Sequence, residues 1–124
     1  MKVLMHSEED LEFQGFDQPG LEIEPRDPEA HYSALQMFAT SVAVCTYSVL
    51  ASYADTIDVS DADLTMRIKW SYAEEPFRIG HMDMDVRWPG VPDSRIKAAR
   101  VAANHCTLHH TLEQPPELVT RVHA

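Results

Sequence analysis

The stretch TSVAVCTYSVLA, residues Thr40 to Ala51, lies inside a long run without charged residues, between Glu29 and Asp55. Apolar side chains recur every three or four residues in this run, which is the spacing of one face of an α-helix. The members of this stripe are Phe38, Val42, Cys45 and Val49. The sequence therefore predicts one long helix that carries a cysteine on its apolar face.

Three residues indicate where this helix begins. Asp27 offers a capping carboxylate, Pro28 suits the first helical position, and Glu29 places an acid in the first turn. We expect the helix to end near Ala54. The uncharged run is long enough to be tested as a membrane span, but it contains many hydroxyl groups and has acidic rather than basic flanks. A helix in a protein core, with no membrane partner, fits better.

Short apolar segments precede the helix at residues 3–5, 11–16 and 21–23. The last two are separated by Gln18, Pro19 and Gly20, residue types that favour a turn. We interpret the three segments as short irregular strands within residues 1–26.

Strict alternation of apolar and polar residues follows the helix, and it predicts two half-buried strands. The first covers residues 64–72 and the second residues 82–88, in a segment that starts near Phe77. Gly80 and His81 interrupt the alternation and indicate a β-bulge.

A second helix is predicted from about Asp93, after a proline-rich turn. Its apolar positions are Ile96, Ala99, Ala103 and Cys106. Pro115 and Pro116 exclude a longer helix, and residues 118–123 are interpreted as a last strand. This order of elements predicts a single α+β domain over residues 1–124, with residues 27–124 as its core.

Composition restricts the class of partner. The formal net charge of −10 argues against binding to a nucleic-acid backbone or to an anionic membrane surface. The first residues turn acidic without an apolar stretch, which is unlike a secretory signal, so we expect a cytoplasmic protein. Neither a Gly-rich phosphate loop nor a nucleophile elbow occurs, and we expect no cofactor.

The two cysteines have three possible roles. Cys45 and Cys106 both fall on inward stripes, so they could be small core residues or a redox pair that meets in space. A zinc site is the third possibility, because His105 and His109, like Cys106 and His110, are spaced four apart, and Cys45 could be a further ligand. The residues themselves leave these roles open.

The arrangement of the cysteines resembles the OsmC/Ohr family, the osmotically inducible and organic-hydroperoxide-resistance proteins. Those chains place one cysteine in a long central helix after small residues, here FATSVAVC, and a second cysteine after a strand pair and a helix, here ARVAANHCTLHHTLEQPPELV. The resemblance covers roughly Asp27 to the C-terminus. It implies an OsmC-like fold with an antiparallel sheet, a buried central helix and two chains intertwined as a homodimer.

The resemblance also implies a chemistry. Cys45 would attack an organic hydroperoxide and become a sulfenic acid, and Cys106 would resolve it as a disulfide that a thiol reductant reopens. Active members carry a glutamate about ten residues before the first cysteine and an arginine on an early strand. In this chain Gln36 and Arg26 are the candidates for these supporting roles, and Gln36→Glu is the change expected to raise the rate.

The absence of a carboxylate at that place predicts slow peroxide reduction. The alternative is an OsmC-like protein with little peroxidase activity that binds a small apolar or thiol-reactive ligand. A zinc-binding module that uses Cys106 and the neighbouring histidines comes third, and the leading hypothesis has no metal.

Overall fold

The computed structural model describes residues 1–24 and 32–124. Five strands and three α-helices follow one another in this part of the chain. Their bounds are β1 Lys2–Ser7, β2 Asp10–Gln14, β3 Glu22–Glu24, α1 Ala34–Ile57, β4 Thr65–Ala73, β5 Arg78–Arg87, α2 Ile96–Ala103 and α3 Thr107–Glu113, with a 3₁₀ turn at Asp93–Arg95 before α2. The predicted α+β class is confirmed.

The five strands form one mixed sheet in the order β3-β1-β2-β4-β5. Only the pairing of β1 with β3 is parallel. The three short N-terminal strands and the two longer strands are all in the sheet, as the apolar segments and the alternation predicted. Side chains of alternate residues face α1, and Leu11, Phe13, Met66 and Ile68 are fully or almost fully buried there.

Helix α1 begins at a capping box made by Ser33 and Gln36. The Gln36 amide donates to the Ser33 hydroxyl, and the Ser33 amide donates to the Gln36 side chain. The start predicted at Asp27, Pro28 and Glu29 lies outside the described residues, and the helix that the structure describes begins at Ala34. It ends at Ile57, where Asp58 adopts the left-handed conformation with φ 55°.

The face of α1 that enters the core differs from the predicted stripe. Ala39, Ala43, Leu50 and Ala54 are at most 1% exposed and face the sheet. By length and composition α1 is also the one described helix that could span a membrane, but these residues are buried inside the protein. Of the predicted stripe, Val42 is buried, whereas Phe38, Cys45 and Val49 are only half-buried. Small alanines at the buried positions allow close packing against the helix backbone. Cys45 is therefore at the edge of the core.

The predicted bulge is confirmed. Ser71 pairs with His81 and Tyr72 pairs with Ile79, so Gly80 is the additional residue on β5. A Cβ atom at Gly80 would lie 2.7 Å from the Cβ of Ala73, which explains why the bulge needs glycine.

The C-terminal region differs from the prediction in two ways. The second helix does not continue to Cys106, because the chain turns after Ala103 and Cys106 caps a separate helix, α3. The predicted strand at residues 118–123 is not formed, since none of the five described strands pairs with this segment, and all residues from 115 to 124 are exposed.

Candidate functional site

Cys45 lies in the middle of α1, with its side chain half-buried beside α3. Its sulfur accepts a hydrogen bond from the backbone amide of Leu108, at 3.5 Å between the nitrogen and Sγ. The partial exposure leaves this thiol accessible to a reactant from solvent.

Cys106 is fully buried and is the N-cap residue of α3. Its sulfur accepts the amide hydrogen of His109 at 3.2 Å, in the way that a capping hydroxyl would. The turn at Asn104 and His105 ends α2 and gives Cys106 the extended conformation that a cap requires. The Thr46 hydroxyl donates to the same sulfur at 3.9 Å.

The first turn of α3 thus contacts both thiols, since Leu108 and His109 are consecutive residues and donate to different cysteines. Both thiols are free. Two neighbouring thiols, one accessible and one buried, can exchange between a dithiol and a disulfide. The sequence indicated that the two cysteines could be neighbours, and in the structure their sulfurs accept hydrogen bonds from adjacent amides.

Two of the described arginines, Arg67 and Arg78, have partners away from the cysteines. Arg67 forms a two-bond pair with Asp10, at 2.9 and 2.8 Å, on the outer face of the sheet. Arg78 donates to backbone carbonyls in the β4–β5 turn. In residues 1–24 and 32–124, no arginine or lysine side chain donates a hydrogen bond to either sulfur. Arg26 lies outside the described residues.

Gln36 has structural partners and is remote from Cys45 along the same helix. Besides its part in the capping box, its side-chain amide donates to the Glu8 carbonyl at 3.2 Å, and the residue is 3% exposed. Gln36 and Cys45 are nine positions apart in sequence, which corresponds to about 13.5 Å along the helix axis and about 2.5 turns. The structure therefore does not bring Gln36 beside Cys45 within one subunit.

The three histidines around α3 do not assemble a metal site. His109 pairs with Glu113 at 2.8 Å, and the rings of His105 and His110 lie 5.4 Å apart between centroids. The break before Cys106 removes the continuous helical face that the zinc hypothesis assumed. Across the described ranges, no group of three or more His, Cys, Asp or Glu side chains could hold a metal ion.

An apolar cleft of ≈ 410 Å³ opens between α2 and the end of β5. Leu50 on α1 and Ala103 on α2 belong to its lining, and neither cysteine does. Arg100 and Asn104 are the polar residues of its wall.

Sequence reasoning missed Thr46 and Tyr47, which follow Cys45 directly. The sequence did contain a signal for Thr46, because this polar residue lies at helical spacing from the buried alanines and therefore on the same face of α1. Tyr47 stacks on Phe16 at 4.6 Å between ring centroids. Burial, together with the carboxylates of Asp61, Asp17 and Asp55, raises the pKa of Tyr47 to about 12.

Comparison with solved structures finds the same fold in two bacterial proteins. One is a Psychrobacter arcticus 273-4 protein provisionally described as an osmotic stress induced and detoxification response protein, with a TM-score of 0.62, 14% identity, and coverage of 88% of this chain and 84% of that chain. The other is an OsmC-like hydroperoxide resistance protein from Jannaschia sp. CCS1, with a TM-score of 0.58, 21% identity, and coverage of 80% and 71%. No protein-family model and no curated protein matches the sequence.

These similarities define the class: the chain has the OsmC-like fold. The resemblance that the sequence indicated is confirmed at this level.

Proposed function

We propose that the protein is a thiol-dependent peroxidase that reduces organic hydroperoxides, with Cys45 as the attacking thiol and Cys106 as the resolving thiol. The observation that carries the proposal is the contact of both sulfurs with the first turn of α3. The OsmC-like fold and the neighbour described as a hydroperoxide resistance protein support it.

The chemistry balances with two thiols and one external reductant. The Cys45 thiolate attacks one peroxide oxygen, the O–O bond breaks, and the products are a Cys45 sulfenic acid and an alcohol. The Cys106 thiol then attacks the Cys45 sulfur, which releases water and forms the disulfide. Two equivalents of a small thiol, or one dithiol, return both cysteines to the reduced state.

The reaction is expected to be slow. In residues 1–24 and 32–124, no basic side chain donates a hydrogen bond to Cys45, whose sulfur accepts from the Leu108 amide. Electrostatic stabilisation of the attacking thiolate and of the departing oxygen then falls to backbone amides and solvent. The cytoplasm, where thiols are kept reduced, is the compartment that suits this cycle.

The working form in this proposal is a homodimer. Strand β5 is an edge strand, and its inward residues Met82, Met84 and Val86 remain half-exposed beside the apolar cleft. Residues 115–124 form an exposed segment in which Leu118 is 88% and Val122 is 91% exposed. Leu118, Thr120 and Val122 share one face of an extended chain, so the segment could add a strand to β5 of a second copy and cover these residues.

A second candidate function is the binding of a small apolar ligand without efficient peroxidase chemistry. The apolar cleft favours this candidate, because its volume and lining are those of a small-molecule site. The same cleft could also accept the organic part of a hydroperoxide.

Consumption of cumene hydroperoxide in the presence of dithiothreitol tests the leading function. The wild type should turn over, and Cys45→Ser should abolish turnover. Without dithiothreitol, Cys106→Ser should take up one equivalent of oxidation, trapped by dimedone as a Cys45 sulfenic acid. A wild type that consumes no peroxide, or a Cys45→Ser variant with unchanged turnover, contradicts the proposal. Binding of an apolar fluorescent probe, unchanged in Cys45→Ser, would then support the second candidate.

A further inference from the structure

Thr46 is a buried polar residue beside Cys45, with 1% of its surface exposed. Its hydroxyl donates to the Cys106 sulfur at 3.9 Å, so this hydrogen bond connects α1 with the N-cap residue of α3. A buried hydroxyl with only a weak sulfur acceptor contributes little to stability, because its desolvation is poorly compensated.

Other hydroxyls of α1 behave differently. They donate to the carbonyl four residues earlier in the helix, an arrangement found at Thr40, Ser41, Ser48 and Thr56. Thr46 instead directs its hydroxyl to a sulfur in another helix. A valine would fill the same volume without a buried hydroxyl, so the hydroxyl is best explained by its sulfur partner.

The two sulfurs differ in access and in hydrogen bonding. Cys45 is half-exposed and accepts one amide hydrogen from Leu108, at 3.5 Å. Cys106 is fully buried and accepts from both the His109 amide and the Thr46 hydroxyl. An external thiol can therefore reach Cys45, while Cys106 has the donors that stabilise a sulfur carrying negative charge.

We propose that Thr46 is a positioning residue for the reductive half of the cycle. Its hydroxyl determines which of the two sulfurs is the leaving group when an external thiol opens the Cys45–Cys106 disulfide. This inference rests on the proposed two-thiol function. An external thiolate attacks Sγ of Cys45 in the Cys45–Cys106 disulfide, and a sulfur–sulfur bond forms to Cys45. The internal disulfide bond breaks, and its electron pair stays on Cys106, where the Thr46 hydroxyl and the His109 amide donate hydrogen bonds. A second external thiolate attacks the external sulfur of the mixed disulfide and releases the Cys45 thiolate.

The test separates the two halves of the cycle. Protein is oxidised with diamide, which forms the disulfide whether or not peroxide reacts, and its reduction by dithiothreitol is followed by stopped flow. Thr46→Val should slow reduction about tenfold, because a hydrogen bond to a charged sulfur is lost at the transition state. Thr46→Ser should restore the rate to within about twofold, since it keeps the hydroxyl.

Thr40→Val is the control, because it makes the same change in the same helix at a hydroxyl that bonds the Gln36 carbonyl and the Tyr32 phenol and no sulfur. Oxidation of Cys45 by cumene hydroperoxide should stay within about twofold of the wild-type rate in all three variants. Glutathione should form its mixed disulfide on Cys45, as located by peptide mass spectrometry. If Thr46→Val fails to fold, Thr46→Ala replaces it, with Thr46→Ser again as the rescue.

Several results would overturn the inference. One is an unchanged rate of disulfide reduction in Thr46→Val, and another is a Thr46→Ser variant that is slowed as much as Thr46→Val. A glutathione adduct on Cys106, or the failure of diamide to form the disulfide, would also contradict it. Failure of the proposed function has a different signature: the diamide disulfide forms and depends on Thr46 for its reduction, but peroxide leaves Cys45 unmodified.

Discussion

Cys45 and Cys106 are separated by 61 positions in the sequence, yet consecutive amides of α3 donate to their sulfurs, Leu108 to Cys45 at 3.5 Å and His109 to Cys106 at 3.2 Å. The first turn of α3 therefore contacts both sulfurs. This arrangement leads directly to a prediction about oxidation.

One equivalent of cumene hydroperoxide should convert reduced protein to a form with an intramolecular Cys45–Cys106 disulfide. Both sulfurs accept from adjacent amides of α3, so resolution within the chain should be faster than reaction with another molecule. Peptide mapping under non-reducing conditions gives the connectivity. Cysteines linked between chains, or both still free, would show that the two-thiol mechanism does not operate.

A dimer is expected at micromolar concentration, and its formation should depend on residues 115–124. Removal of these residues eliminates Leu118 and Val122, which have no partner surface in the described part of one chain. We expect light scattering to give twice the monomer mass for the full chain and the monomer mass for the truncated chain. A matched control is Leu118→Asp with Val122→Asp, which keeps the length but not the apolar face. A monomeric full chain with an intact circular dichroism spectrum would contradict the dimer.

Gln36→Ala should lower the free energy of unfolding by about 1–2 kcal/mol, because it removes a capping box and a buried hydrogen bond to Glu8. Chemical denaturation gives this value. Met37→Ala is the control, because its exposed side chain should contribute less than about 0.5 kcal/mol.

The rate of Cys45 oxidation should be almost the same in the wild type, Gln36→Ala and Gln36→Glu, since residue 36 is about 13.5 Å away along the helix. This replaces the expectation from sequence that Gln36→Glu raises the rate. A large acceleration in Gln36→Glu would mean that residue 36 reaches a thiol site by a route outside one subunit.

Gly80→Ala should destabilise the protein by about 1–3 kcal/mol. The new Cβ would lie 2.7 Å from the Ala73 Cβ and 3.1 Å from the Ala73 nitrogen, and backbone atoms of a paired strand cannot move away easily. In the Ala73→Gly background the cost should be smaller, because the closest contact is gone. Equal costs in both backgrounds, measured by urea unfolding, would show that the close contact is not the cause.

The phenol of Tyr47 should titrate with a pKa of about 12, above its ordinary value of 10.0, because it is buried near Asp61, Asp17 and Asp55. A raised pKa in the folded state stabilises the fold below pH 10, and this contribution is lost as the pH rises toward about 12. The difference in alkaline ultraviolet absorbance between wild type and Tyr47→Phe gives the pKa.

Asp61→Asn should lower the pKa of Tyr47, whereas Asp58→Asn, the control at an exposed helix end, should leave it nearly unchanged. Identical titrations in wild type and Asp61→Asn would show that the carboxylate does not act on the phenol.

Local patterns in the sequence determined most of the elements of this protein. Alternation defined β4 and β5, and the interrupted alternation at Gly80 identified the bulge, because the side-chain period of a strand is a local property. The uncharged run gave the long helix for the same reason. The order of these elements and of the two cysteines was enough to indicate the OsmC-like fold.

The tertiary structure decided what depends on packing between distant segments. Periodicity did not identify the whole face of α1 in the core, because three alanines are almost completely buried there while the larger Phe38 and Val49 are only half-buried. Cys106 was expected on the apolar stripe of the second helix and instead caps α3, and the hydrogen bond from the Thr46 hydroxyl to its sulfur was not predicted. Periodicity describes one element at a time, whereas the partners of a buried polar atom are set by how separate elements meet.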